Sequence, residues 1–150
     1  MNLIKNDAVK FKTLLLKRDT DGNTPFDVSI ICEQSTRMKA IFEKCTELGI
    51  EDDIIMNENN LGQNVLHHAA HLFYSDEVFT YLLNFINNDA VKTLLLKGNK
   101  NGKNPLQMLV ENKQSEKLEA VFRAFPELET HESIHLVPNP NRSSPPCRLL

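Results

Sequence analysis

The sequence predicts an all-α solenoid of about three helical repeats, joined by short turn hairpins and followed by a disordered C-terminal tail. Three observations predict it. Gly22, Gly62 and Gly102 stand forty residues apart, in the related strings Asp21-Gly22-Asn23-Thr24-Pro25-Phe26, Leu61-Gly62-Gln63-Asn64-Val65-Leu66 and Asn101-Gly102-Lys103-Asn104-Pro105-Leu106. A fixed period of this size marks stacked supersecondary units rather than one irregular core. Apolar columns keep the same register: Met38, Val78 and Leu118; Ile41, Tyr81 and Val121; Phe42, Leu82 and Phe122. Finally, Leu14-Leu15-Leu16-Lys17 recurs as Ile54-Ile55-Met56-Asn57 and as Leu94-Leu95-Leu96-Lys97.

Taken in chain order, residues 1–12 read as a partial N-terminal repeat or cap. Asn2-Leu3-Ile4 resembles Asn84-Phe85-Ile86, the end of a second helix, and Asn6-Asp7-Ala8-Val9-Lys10 matches Asn88-Asp89-Ala90-Val91-Lys92. Residues 13–129 carry the repeats. In each, the glycine sits in a tight turn that needs positive φ. Thr24-Pro25 and Asn104-Pro105 then give an N-cap oxygen followed by a proline that has no N–H to lose, a helix start. Short helices are expected over about 25–33, 65–73 and 105–112. Polar breaks follow at Gln34-Ser35-Thr36, Tyr74-Ser75-Asp76 and Lys113-Gln114-Ser115. Longer helices are expected over about 37–48, 76–87 and 115–125, with apolar residues at helical spacing such as Leu118, Val121, Phe122 and Phe125. From residue 130 the periodicity stops, and 130–150 reads as a proline-rich disordered tail.

These strings resemble the ankyrin repeat, whose signature runs close to Asp-x-x-Gly-x-Thr-Pro-Leu-His-x-Ala-Ala. The first unit supplies Asp19, Gly22, Thr24, Pro25 and Phe26; the second Gly62, Leu66, His67, Ala69 and Ala70; the third Gly102, Pro105 and Leu106. The resemblance covers roughly residues 13–128 and implies a protein-binding module. The family period is about 33, so each unit carries about seven surplus residues. We read the surplus, which contains the aliphatic triplets, as an extra helical turn or short apolar brace beneath the turn hairpin. A bare repeat end would expose apolar surface, so self-association at the N-terminal end is a further expectation.

Composition narrows the function classes. A net charge of −3 lacks the basic face that a nucleic-acid binder needs. No apolar run approaches the ~18 residues of a membrane span, and Met1–Asp7 has no signal-peptide core. Three well-separated cysteines, Cys32, Cys45 and Cys147, fit a reducing, cytoplasmic setting. No cofactor and no resident metal are implied. Ankyrin proteins with such tails resemble effectors that intracellular bacteria send into eukaryotic cells, which would place the action in the host cytosol or at the membrane periphery.

No nucleophile–base arrangement, phosphate loop or dinucleotide fingerprint is present. His67 and His71 share a helical face at metal-ligand spacing, yet position 68 is His rather than the Glu of a zincin motif. A metal-dependent activity there is one alternative, and a structural fragment with no partner of its own is another. The resemblance instead implies that His67 is structural, bonding backbone and hydroxyl groups around the turn, and that His71 faces a ligand. The turn tips change character along the chain: mixed at Arg18-Asp19-Thr20-Asp21, weakly acidic at Asn57-Glu58-Asn59-Asn60, basic from Lys97 to Lys103. Residues on or beside the tips and first helices are therefore the expected protein-binding set: Thr20, Asn23, Asn60, Gln63, His71, Lys100, Lys103 and Glu111. The terminal Cys147-Arg148-Leu149-Leu150 fits a prenylation pattern, so any membrane contact is expected through a lipid on Cys147.

Overall fold

A computed structural model describes residues 2–71 and 75–129. The proline-rich tail, Cys147 and the end of the helix expected over 65–73 lie outside the described residues. Among the described residues every regular element is helical: α1 (Asn2–Leu15), α2 (Pro25–Ile31), α3 (Ser35–Leu48), α4 (Glu51–Ile55), α5 (Val65–Ala69), α6 (Asp76–Phe85), α7 (Asn88–Leu96), α8 (Pro105–Glu111), α9 (Ser115–Ala124) and a 3-10 turn (Pro126–Glu129).

The same local structure occurs three times. Unit 1 is the turn 19–23 with α2 and α3, unit 2 the turn 59–63 with α5 and α6, and unit 3 the turn 99–103 with α8 and α9. Each turn is held by one short side chain standing three residues before its glycine. Asp19 Oδ1 accepts from the N–H groups of Asp21 and Asn23 at 3.0 and 2.9 Å. Asn59 Oδ1 accepts from Leu61 and Gln63 at 3.0 and 2.9 Å, and Asn99 Oδ1 from Asn101 and Lys103 at 2.9 and 3.1 Å. These are Asx turns, in which a side-chain oxygen substitutes for a backbone acceptor. The glycines take φ of +83°, +72° and +77°, where a Cβ would crowd the following carbonyl.

Each first helix opens with a reciprocal capping box. Thr24, Asn64 and Asn104 accept from the backbone N–H of Asp27, His67 and Gln107, and each of those side chains accepts from the cap's own N–H. Glu33 and Lys113 then take φ of 53° and 55°, and the Gln34 and Gln114 N–H groups donate back to Ser29 and Leu109 carbonyls. That arrangement ends the first helix and turns the chain into the second.

The aliphatic triplets do more than brace a turn. They end a third helix in the surplus segment: α1, α4 and α7. Ile54, Ile55, Leu94 and Leu95 are all at most 1% exposed, so α4 and α7 each bury a pair of aliphatics that the hairpin cannot cover alone, whereas in α1 Leu15 is buried and Leu14 is exposed. In the N-terminal segment α1 runs unbroken from Asn2 to Leu15, across residue 12. Between α6 and α7 the helix breaks at Ile86, and Asn87 caps the next start by accepting from Asp89 N–H at 2.9 Å. The register position of Asn87 in α1 is Lys5, which has no acceptor to make a cap, and the helix continues.

Neighbouring units pack through like elements: α2 lies on α5, α5 on α8, and α6 on α9. Phe26, Leu66 and Leu106 form one fully buried column, each such side chain contributing about 2 kcal/mol by removal from water. Met38 and Val78 are fully buried and Leu118 is half-buried. Phe42 stacks on Phe26 with ring centroids 6.2 Å apart and meets the edge of Tyr81 at 6.1 Å, joining units 1 and 2.

Candidate functional site

The turn tips are tied to one another. Asn60 N–H donates to the Asp21 carbonyl at 3.0 Å, and one unit on, Lys100 N–H donates to the Leu61 carbonyl at 2.9 Å. Side chains reinforce the first junction: Asn59 Nδ2 donates to Asn23 Oδ1 and Gln63 Oε1, both at 3.0 Å, and Asn60 Nδ2 to the Thr20 carbonyl at 3.0 Å. Beneath these tips lies a groove of about 470 Å³. It brings together four of the residues singled out in the sequence, Asn23, Asn60, Gln63 and His71, with Ile31, Leu61 and His68 along its walls. A larger hollow of about 550 Å³ between α3, α4 and the α6–α7 corner holds Phe42, Phe85, Glu51 and Asp52. It contains none of the residues that the tip pattern selected.

The other four expected residues lie off the groove. Thr20 and Lys100 are exposed on the first and third tips. Lys103 Nζ and Glu111 Oε2 pair at 2.7 Å, so these two opposite charges neutralise one another. Asn23, Asn60 and Gln63 all spend side-chain atoms on joining or shaping tips. His71, Lys100 and the Glu111-paired Lys103 are the expected residues that combine exposure with a charge or a titratable ring.

Histidine chemistry in the groove is set by burial and backbone. His67 Nδ1 accepts from Asn64 N–H at 3.0 Å, and its Nε2 lies 2.9 Å from the Lys103 carbonyl. The first bond requires a bare Nδ1 and the second a proton on Nε2, which defines a neutral ring with both nitrogens engaged. Its bonds are to backbone groups only, with no hydroxyl among them. Burial lowers the His67 pKa, opposed by the Lys103 carbonyl. Neither nitrogen is left to take a metal, and among the described residues no group of three His, Cys, Asp or Glu is placed to hold one.

His68 lies deeper. Its side chain is 6% exposed, its Nε2 has no hydrogen-bond partner, and it stands 3.8 Å from the equally unpartnered Oδ1 of Asp27. Burial lowers its pKa to about 4, with His71 adding repulsion. Burial raises the Asp27 carboxyl against the downward pull of its Thr24 bonds. Both groups are thereby pushed toward their neutral forms.

On the far side of α5, unit 3 completes the helix end of unit 2. Gln114 Nε2 donates to the Ala70 carbonyl at 2.6 Å, and Lys117 Nζ to the Ala69 and His71 carbonyls at 3.2 and 3.4 Å. Lys117 is 1% exposed, and burial lowers its pKa. A cation at the negative end of a helix dipole offsets part of that cost. Cys45 is buried, its thiol pushed up to about 11 by desolvation, which suits packing rather than reaction.

Sequence reasoning overlooked Asn59 and Asn99 as turn anchors, the capping partners Asp27 and Gln107, and the buried pair Asp27–His68. The anchors had a signal, since positions 19, 59 and 99 share the glycine period with residues able to accept in an Asx turn. No helix among the described residues is long and apolar enough to cross a membrane. No model of a known protein family matches the chain, and no curated protein matches its sequence.

Proposed function

We propose that this chain is a non-enzymatic protein-interaction module, an ankyrin-like solenoid of three long units that takes a protein partner along its tips and the groove beneath them. The observation that carries the reading is the groove itself. Two consecutive tips and the first helix of unit 2 build its walls, and its floor is fixed by capping boxes and tip-to-tip bonds rather than by mobile side chains. Preorganised backbone of this kind lowers the ordering cost of binding. Charge varies along the row, from Asp21 at the first tip to Lys100 at the third, which suits one extended partner held in a single register.

The metal-dependent alternative is not favoured, because both ring nitrogens of His67 are engaged. The test is capture of a partner on immobilised chain, comparing the wild type with His71→Ala and Lys100→Glu. Both substitutions lie at exposed positions and should leave the helical circular dichroism intact while weakening retention of one and the same protein. Retention unaffected by both would leave a repeat fragment without a partner at this face. Membrane tethering through Cys147 belongs to the same proposal. It is tested separately by fractionating cells that express Cys147→Ser, and unchanged membrane association of that variant would remove it.

A further inference from the structure

The two ends of the array carry a second surface. In unit 1 the apolar positions that other units cover lie open: Leu14 is 64% exposed, whereas its register partners Ile54 and Leu94 are 0% and 1%. Pro25 is exposed, whereas Val65 and Pro105 are buried. These residues line a hollow of about 410 Å³ that also includes Asp19, Asn23 and Val28. What fills the corresponding space in units 2 and 3 is the preceding unit.

The tip bonds end there too. The ladder runs Asn60 N–H to Asp21 C=O and Lys100 N–H to Leu61 C=O. In the same register the next donor is Thr20 N–H and the next acceptor the Asn101 carbonyl. Neither makes a tip-to-tip bond among the described residues. We propose that copies of this chain associate head to tail, the unit 1 face of one seating on the unit 3 face of another in the register that joins units inside the chain.

Charge at the register positions supports a second copy as the occupant. The column Lys39, Phe79, Glu119 faces the column Arg37, Glu77, Lys117 of the following unit. Lys39 pairs with Glu77 at 2.6 Å, and Lys117 Nζ lies 6.0 Å from the centre of the Phe79 ring. Continued between copies, the third member of this series is Glu119 against Arg37, again opposite in sign. The tips add one more pairing. Asn59 donates to Asn23 at the first junction inside the chain, and the cross-copy counterpart sets Asp19 near Lys103, which within the chain pairs with Glu111. Gln34 stands in register with Gln114, whose side chain caps the neighbouring first helix. Both ends therefore carry side chains suited to one another. Such a heterologous contact does not close on itself at two copies but grows.

This surface meets the groove at Asn23 and along the tips. The residues varied below, Arg37, Glu119 and Gly102, lie outside the groove, so failure of this proposal would leave the groove reading standing. The test is sedimentation velocity of the full chain from low micromolar to near millimolar concentration. The average mass should rise without stopping at a dimer and fall back with added salt. Arg37→Glu and Glu119→Arg should each weaken association roughly tenfold. An equimolar mixture of the two should restore it, because the reversed charges then face each other. Gly102→Ala is the second variant: its Cβ meets nothing within 4 Å in the single chain, yet in register it would collide with Thr20 of the next copy. It should keep its helical signal when dilute and lose association. A monomer at every concentration, a plateau at the dimer, or association unchanged in all three variants would overturn the proposal.

Discussion

The three turn glycines occupy equivalent conformations but unequal surroundings, which makes Gly→Ala a graded experiment. At φ of +83°, +72° and +77°, each substitution costs about 1 kcal/mol in backbone strain. Space then separates them. A Cβ at Gly22 would stand 2.7 Å from the Asn60 backbone nitrogen and closer still to its Oδ1, so the second tip must retreat. Retreat breaks the Asn60 bonds to Asp21 and Thr20, both 3.0 Å, at about 1 kcal/mol each, for a total near 3 kcal/mol. At Gly62 the nearest atoms are Lys100 N at 3.1 Å and Asn99 Cα at 3.4 Å. A shift of a few tenths of an ångström relieves them, giving roughly 2 kcal/mol with the strain included. Gly102 meets nothing within 4 Å and should lose only the strain, about 1 kcal/mol. Urea denaturation of the three variants, followed by helical circular dichroism at low protein concentration, reads the order directly. Equal losses, or a loss at Gly102 matching that at Gly22, would refute the role assigned to tip-to-tip packing.

Three more outcomes follow from buried groups and strained backbone. His68 is lowered from 6.5 to about 4, so below pH 6.5 the unfolded chain binds a proton that the folded chain refuses. Its contribution is complete above pH 6.5 and is lost progressively toward pH 4, by roughly 3 kcal/mol at most. His67 acts in the same sense, whereas the raised Asp27 opposes it at the acid end. His68→Met, which installs the residue found in register at Met108, should flatten the stability–pH curve in that window, and an unchanged slope would contradict the assignment. Lys117→Met should lower stability by about 1–2 kcal/mol by leaving the Ala69 and His71 carbonyls without their donor, seen as a lower urea midpoint. Lys113→Gly should raise stability by roughly 0.5–1 kcal/mol, seen as a higher midpoint, since Lys113 holds φ of 55° in a conformation that glycine adopts without penalty.

What could be read in the sequence was what is local and periodic. Gly22, Gly62 and Gly102 fixed the turns, Thr24-Pro25 and Asn104-Pro105 fixed two helix starts, and the apolar columns through Met38 and Phe42 fixed the second helices. The surplus segment was harder. An aliphatic triplet such as Leu94-Leu95-Leu96 has no helical spacing of its own, and the α7 start depends on Asn87, a cap indistinguishable by composition from the neighbouring Asn88. At the site, the pattern selected the right loops but could not tell that Asn23 and Gln63 share the amide of Asn59. That contact joins residues up to 36 apart. Lys117 was invisible for the same reason: a lysine on an amphipathic helix reads as solvated, and it is the carbonyl end of α5, with the Asp76 carboxylate 4.0 Å away, that makes its burial tolerable.

The cap that Lys117 and Gln114 place on α5 has a temporal side. A helix of five residues, Val65–Ala69, has almost no stability of its own, and the donors that finish it belong to the following unit. As the chain leaves the ribosome, unit 2 therefore stays open-ended until residue 117 has emerged. Unit 1 waits in the same way for the Asn59 and Asn60 amides of unit 2. Each unit is completed by its successor, so structure should consolidate in arrears, one unit behind synthesis. A nascent chain arrested before Gln114 would present the His67–His71 segment to proteases, and one arrested well beyond Lys117 would not.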